Sequence, residues 1–479
     1  MNQRIGKKRR AKRDDFFEEE EESGDDGFLQ SDSGDEEEDL EEEEEDVETA
    51  EEKRLRLAKQ YLDRIQQFHE DDDEGVGDAL RQDALESMGH FRRLVADTIV
   101  IPESPLVSEY SWKEGRGKLY RGHKLPVTAI ALTRDDATVF SVSKDGSIME
   151  LDVETGKRQK YTMENTSASR GHGGAPWMAP KARQGSRTSL LAAAVSSDGM
   201  YLAVGGGDKK VHIWDTRSKT LLKSFPGHKD AISALSFRHG THQLFSASLD
   251  RAVNIWSLED MAYVDTLFGH QSPILGIDSL QGDRALTCGA DRTCRIWKIP
   301  EESQLVFRGN CVNIESCAYV TQGEWVTGDG QGSVQLWNST KKKPTYTCRN
   351  AHIPDHIPEN STEYTGAGSI GGDACSWVGS VAVCQGSDLV ASGAGDGLIK
   401  LWKVWDGGKG DGGRRALENI GSIPARGFVN SLAIAKSAKF VVAGMGQEPR
   451  MGRWLRDSKA QNGIFIHPLD IQDDGSDSE

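Results

Sequence analysis

Residues 227–256 read GHKDAISALSFRHGTHQLFSASLDRAVNIW. The stretch opens on Gly227-His228, runs through an alternating apolar strand and a Ser-rich strand, turns at Asp250, and closes on a strand ending in Trp256, six residues after the Asp. Two further copies are nearly complete: Gly269-His270 with Asp291 and Trp297, and Gly122-His123 with Asp145 and Leu151 in the Trp position. Degenerate copies fill the remainder. They are Asp208 with Trp214, Gly309-Asn310 with Gln331 and Trp337, Asp396 with Trp402, and Gly427-Phe428 with Glu448 and Trp454. The count is seven.

The Trp-position residues 151, 214, 256, 297, 337, 402 and 454 mark units of the length of a WD-type propeller blade, about 40–45 residues, with three longer intervals. Those intervals contain loop-like insertions at 171–187, 354–372 and 407–413. The fold expected is all-β, a seven-bladed WD-repeat β-propeller over residues 117–469. Two segments compete for the outer strand of the last blade, Gly117–Arg121 and Gly463–Leu469.

A buried indole N–H needs an acceptor, and a buried imidazole needs a partner for each nitrogen. Ser on the second strand and Asp in the turn supply both, so each full unit should carry a His-Ser-Trp relay anchored by Asp. His123, Asp145, Asp208, Trp214, His228, Asp250, Trp256, His270, Asp291, Trp297, Asp396 and Trp402 are assigned to these structural tetrads. The arrangement repeats down the chain, which a catalytic triad would not.

The flanks differ from this core. Residues 1–13 hold seven basic residues, including the Lys7–Arg13 cluster that suits a nuclear import signal, and residues 14–52 hold 24 acids and no base. Residues 1–50 should be a disordered basic, then acidic tail, with Ser31 and Ser33 in a context suited to acid-directed kinases. Residues 51–97 carry two helical patterns, the first with Leu55, Ala58, Leu62 and Ile65 on one face; 98–116 read as a linker and 470–479 as an acidic C-terminal tail.

Several classes are excluded. No apolar run approaches the roughly 18–20 residues of a membrane span. The seven cysteines form no CxxC pair, so a zinc site is not expected and they read as free thiols. No Gly-x-Ser-x-Gly, Walker or HExxH motif occurs, and Gly328–Gly332 falls at a strand-to-strand turn with no helix after it. Neither an enzyme nor a cofactor is expected.

Binding remains. Residues 122–469 hold 39 basic and 34 acidic groups. The Asp turns and Gly-His loops share one propeller face, and they carry Lys124, Lys144, Lys209, Lys210, Lys229, Arg251, Arg292 and Arg308. A cationic ring of this kind suits a phosphate backbone. A protein-protein scaffold, such as a histone-tail reader or ligase substrate receptor, is the alternative.

The strings 54–62 (RLRLAKQYL), 240–244 (GTHQL), 266–271 (TLFGHQ), 297–307 (WKIPEESQLVF) and 446–454 (GQEPRMGRW) closely resemble the WD-repeat protein family specific to the U3 small nucleolar ribonucleoprotein. That resemblance implies a nuclear, nucleolar protein that binds the box B/C region of U3 small nucleolar RNA together with a kink-turn-binding protein. It also implies support for pre-ribosomal RNA cleavage within the small-subunit processome, without catalysis. Because the last-blade string departs from the tetrad, Gln447, Arg450, Arg453 and Arg456 are expected at the RNA, joined by Arg238 and His239 from the third blade.

Overall fold

The computed structural model describes residues 93–100, 116–161, 189–352, 377–405 and 415–472. The basic and acidic tail, Ser31, Ser33, the helical patterns up to residue 92, the insertion segments 171–187, 354–372 and 407–413, and residues 473–479 lie outside the described residues.

Seven four-stranded antiparallel sheets form the blades of the propeller. Blade three shows the plan: Ile232–Phe237 is innermost, then Gln243–Ser248, Ala252–Ser257 and the outer Ala262–Phe268. The first three strands are buried almost throughout, because both faces meet neighbouring blades, whereas the fourth is largely exposed. Period-2 alternation is therefore weak in the inner strands.

Each innermost strand slips register near its start, and in blades one, three and seven the unpaired bulge residue joins the next blade. Ser233 Oγ donates to Ile274 O of blade four (2.6 Å), Thr128 Oγ1 to Leu190 O of blade two (2.8 Å), and Asn430 Nδ2 to Val127 O across the closure from blade seven to blade one (2.8 Å).

Blade seven settles the competition between the two terminal segments, since it uses both. Its inner strands are Phe428–Ile434 and Phe440–Gly446, Gly463–Pro468 is third, and the N-terminal Lys118–Tyr120 is outermost. Leu119 sits opposite Phe465, so the two ends of the propeller close it within one sheet. Two expectations are corrected here. Trp454 does not end a third strand but lies in the connection between the second and third strands, where Glu448 holds the turn position expected of it, and Phe428 begins the inner strand instead of occupying the His position.

The described end of the expected helical segment, residues 93–97, is not helical. Arg93 bridges Ser387, and the amides of Val95 and Ala96 donate to Asp388 Oδ1 (2.8 and 3.0 Å). Ile99–Val100 then pairs with Asp470–Ile471, tying parts of the expected linker and C-terminal tail to the propeller.

Candidate nucleic-acid interface

The relay forms where the sequence is complete. In blade three the Trp256 indole N–H donates to Ser246 Oγ (2.8 Å), Ser246 contacts His228 Nε2 (2.8 Å), and His228 Nδ1 contacts Asp250 Oδ2 (3.0 Å). An acceptor-only carboxylate places the imidazole proton on Nδ1, leaving Nε2 to accept from the hydroxyl. Burial pushes the Asp250 carboxyl up, but the ring of His228 and the amides of Lys229 and Ala252 outweigh it and hold the pKa down to about 2. Blade four repeats the relay with Trp297, Thr287, His270 and Asp291.

Blade six completes it with Trp402, Ser392, Asp396 and His352, a histidine that sequence reasoning missed. His352 follows Ala, not Gly, and an insertion separates it from its blade. In blade one His123 reaches Ser141 and Ser147 (2.7 and 2.6 Å), with Asp145 one hydroxyl further on. Blade two departs: Val204 stands at the Ser position, Asp208 bonds His212 instead, and the buried Trp214 indole N–H has no acceptor. Blade five lacks the His, and its turn is organised by Asp329, not Gln331.

Because the tetrad Asp also accepts from the amide after the His, as with Lys124, Lys229 and Gln271, it draws the Asp turn and the Gly-His loop onto one face. Lys124, Lys209, Lys210, Lys229, Arg251, Arg292 and Arg308 are all exposed around it. Lys209, Arg251 and Arg292 occupy equivalent turn positions in three consecutive blades with φ of 66°, 73° and 63°. Blades one and six put Gly146 and Gly397 in the corresponding left-handed position (φ 72° and 79°). Among the described residues no carboxylate pairs with any of these seven exposed cations.

On the opposite face four cations are paired: Arg238 with Asp283, Lys298 with Glu301, Lys403 with Asp97, and Arg415 with Glu324. Arg238 and His239 lie there, in the turn after the inner strand of blade three. His239 lines the ≈ 350 Å³ channel opening on that side and contacts Gln385 Nε2 (3.2 Å). The structure therefore does not bring these two together with the cationic turns.

The expanded connection 447–462 of blade seven lies on the cationic face. Lys144 is buried beneath it, its ammonium donating to Pro449 O (2.5 Å) and Gly452 O (2.7 Å) beside Glu448 (3.8 Å), so its positive charge holds the loop. Burial lowers the Lys144 pKa, opposed by Glu448. Arg450 points into the channel mouth, where its guanidinium donates to the Ser233 carbonyl. Burial lowers its pKa, opposed by Glu315, whose own carboxyl is raised by burial and lowered by Arg450. Gln447 and Arg456 bond each other (3.2 Å), and Arg453, with a largely exposed side chain, lies 3.7 Å from Glu448. Gln447, Arg450, Arg453 and Arg456 thus share one loop, with Arg450 pinned inward and Arg453 and Arg456 outward.

No described group of three or more His, Cys, Asp or Glu residues is placed to hold a metal ion.

Comparison with known proteins agrees with this architecture. The family model "WD domain, G-beta repeat" matches residues 116–149, 181–215, 219–257, 261–298 and 368–403. U3 snoRNP-associated protein-like EMB2271 of Arabidopsis thaliana is 41% identical over 441 residues, covering 88% of this chain and 86% of its own. U3 small nucleolar RNA-interacting protein 2 of Homo sapiens is 37% identical over 430 residues, covering 88% and 82%. The solved structure of U3-55K superposes with a TM-score of 0.63 at 38% identity, covering 74% of this chain and 98% of the other.

Proposed function

Because this chain belongs to the family of WD-repeat proteins of the U3 small nucleolar ribonucleoprotein, we propose that it is a non-catalytic RNA-binding subunit of that particle in the nucleolus. On this reading the cationic face meets the box B/C region of U3 small nucleolar RNA beside a kink-turn-binding protein. The assembled particle then supports pre-ribosomal RNA processing for the small subunit.

The row Lys209, Arg251 and Arg292 carries the reading. Holding a residue that carries a Cβ in left-handed conformation costs about 1–2 kcal/mol where glycine would cost almost nothing. Three neighbouring blades accept that cost to display a long cation with which no described carboxylate pairs. A phosphate backbone supplies the missing anions at regular intervals, and a bend imposed by the partner protein presents 2′-hydroxyls and phosphates to a curved rim. Lys144 and Arg450 act beneath this surface by fixing the loop on which Arg453 and Arg456 stand.

Binding of the purified full chain to U3 RNA tests this. Affinity should fall with salt at a log-log slope of about -0.7 to -0.9 per phosphate contacted. Arg251→Gln and Arg292→Gln should each weaken binding and flatten that slope by about one contact. A salt-insensitive complex, or partners that survive RNase with no RNA recovered on crosslinking, would instead support a protein-protein scaffold.

A further inference from the structure

We infer that Trp454 is a stacking platform for one unpaired RNA base; this rests on the RNA-binding reading and adds to it a contact that is not electrostatic. In the sequence Trp454 falls in the slot of a blade-core tryptophan, six residues after an acid. In the structure it stands on the 447–462 loop and is 66% exposed, unlike Trp214, Trp256, Trp297, Trp337 and Trp402, which are all buried.

Its setting is built. Gly452 adopts a left-handed φ of 86°, and a Cβ added there would overlap the six-membered ring of Trp454. The indole therefore occupies the space a side chain at 452 would take and rests on the chain's own backbone. Lys144 fixes that backbone through the carbonyls of Pro449 and Gly452 (2.5 and 2.7 Å). The ring is held from below and open from above.

The occupant follows from the neighbours. Arg453 and Arg456 flank the ring in sequence with exposed side chains, on the face that carries the unpaired cations. An aromatic plane beside cations is how proteins bind unpaired nucleotides: the ring takes the base and the cations take the phosphates on either side. The adjoining channel mouth, ≈ 180 Å³ and bordered by Trp377, Phe428 and Met451, is smaller than the roughly 300–1,000 Å³ of ordinary ligand sites. It offers room beside the indole for a planar ring and not for a separate ligand.

The test uses the full chain, U3 box B/C RNA, and the variants Trp454→Ala and Trp454→Phe, titrated between about 50 and 200 mM salt. Loss of one stacked base should weaken Trp454→Ala about 10-fold at every salt concentration, with the slope unchanged, while Trp454→Phe stays within about 3-fold of the parent. Parent-like affinity of Trp454→Ala overturns the platform and leaves the RNA reading intact, as does a change in salt slope or equal loss in both variants, which would mark a collapsed loop. A parent chain that fails to bind RNA overturns both readings. Loss of a protein partner in Trp454→Ala at unchanged RNA affinity assigns the indole to a protein contact and sinks the proposal.

Discussion

Blades three and seven each place a tryptophan six residues after an acidic residue, and the two tryptophans have opposite fates. Trp256 is 2% exposed, with its indole N–H bonded to Ser246 (2.8 Å), and it stacks on Phe225 with ring centres 4.9 Å apart. Trp454 is 66% exposed on a loop. The difference lies in what surrounds the spacing. Blade three has a Ser to accept from the indole and a His to complete the chain to Asp250. Around Trp454 the sequence has two glycines and a proline within eight residues, which prevents a continuous strand. The spacing alone is compatible with either outcome, and the hydrogen-bond partners decide.

The widest separation between the two should appear on truncation. Trp256→Ala removes a fully packed ring and strands its partners, and should cost about 3–5 kcal/mol; Trp454→Ala should change stability by under about 0.5 kcal/mol. Paired denaturant titrations check this, and similar losses at both positions would erase the contrast.

A smaller effect tests the relay through pH. Burial, stronger than the attraction of Asp145, lowers the His123 pKa from 6.5 to about 4. The unfolded chain therefore takes up the proton at higher pH than the folded one, so stability is full above 6.5 and is lost as pH falls through the window down to about 4. Between pH 7 and pH 5 the loss is about 2 kcal/mol. Melting curves across that range should flatten by this amount in His123→Gln.

The smallest effect compares two buried indoles. Trp256→Phe deletes a made hydrogen bond, whereas Trp214→Phe deletes a donor without an acceptor, so the first should cost about 1 kcal/mol more than the second. Equal costs would show that Trp214 is satisfied in solution.

These contrasts also mark what the sequence discloses. The seven-blade count, the relays of blades three and four, and the sharing of one face by the Asp turns and Gly-His loops were readable, because repetition exposes residues whose role is architectural. Blade seven was not. Its third strand, Gly463–Pro468, lacks a Trp, and the motif-like Glu448–Trp454 string lies where a strand was expected. His352 was hidden by the insertion after it, and the neutralising role of Glu448 toward Lys144 depends on a contact across 304 positions of chain. Charge legibility was partial for the same reason. The cations were visible, but the absence of described carboxylate partners at the exposed turns of one face, against four ion pairs on the other, depends on contacts that no local string of residues reveals.

The closure of blade seven bears on how the protein is made. The 447–462 loop hangs between Phe440–Gly446 and Gly463–Pro468, and the latter strand is clasped by Lys118–Tyr120 from the other end of the ring. During synthesis six blades can assemble as they leave the ribosome, while the seventh waits for Gly463–Pro468 to emerge. The loop thus takes its shape only once both strands that anchor it are in place, so a chain cut short before Gly463 would lack that surface.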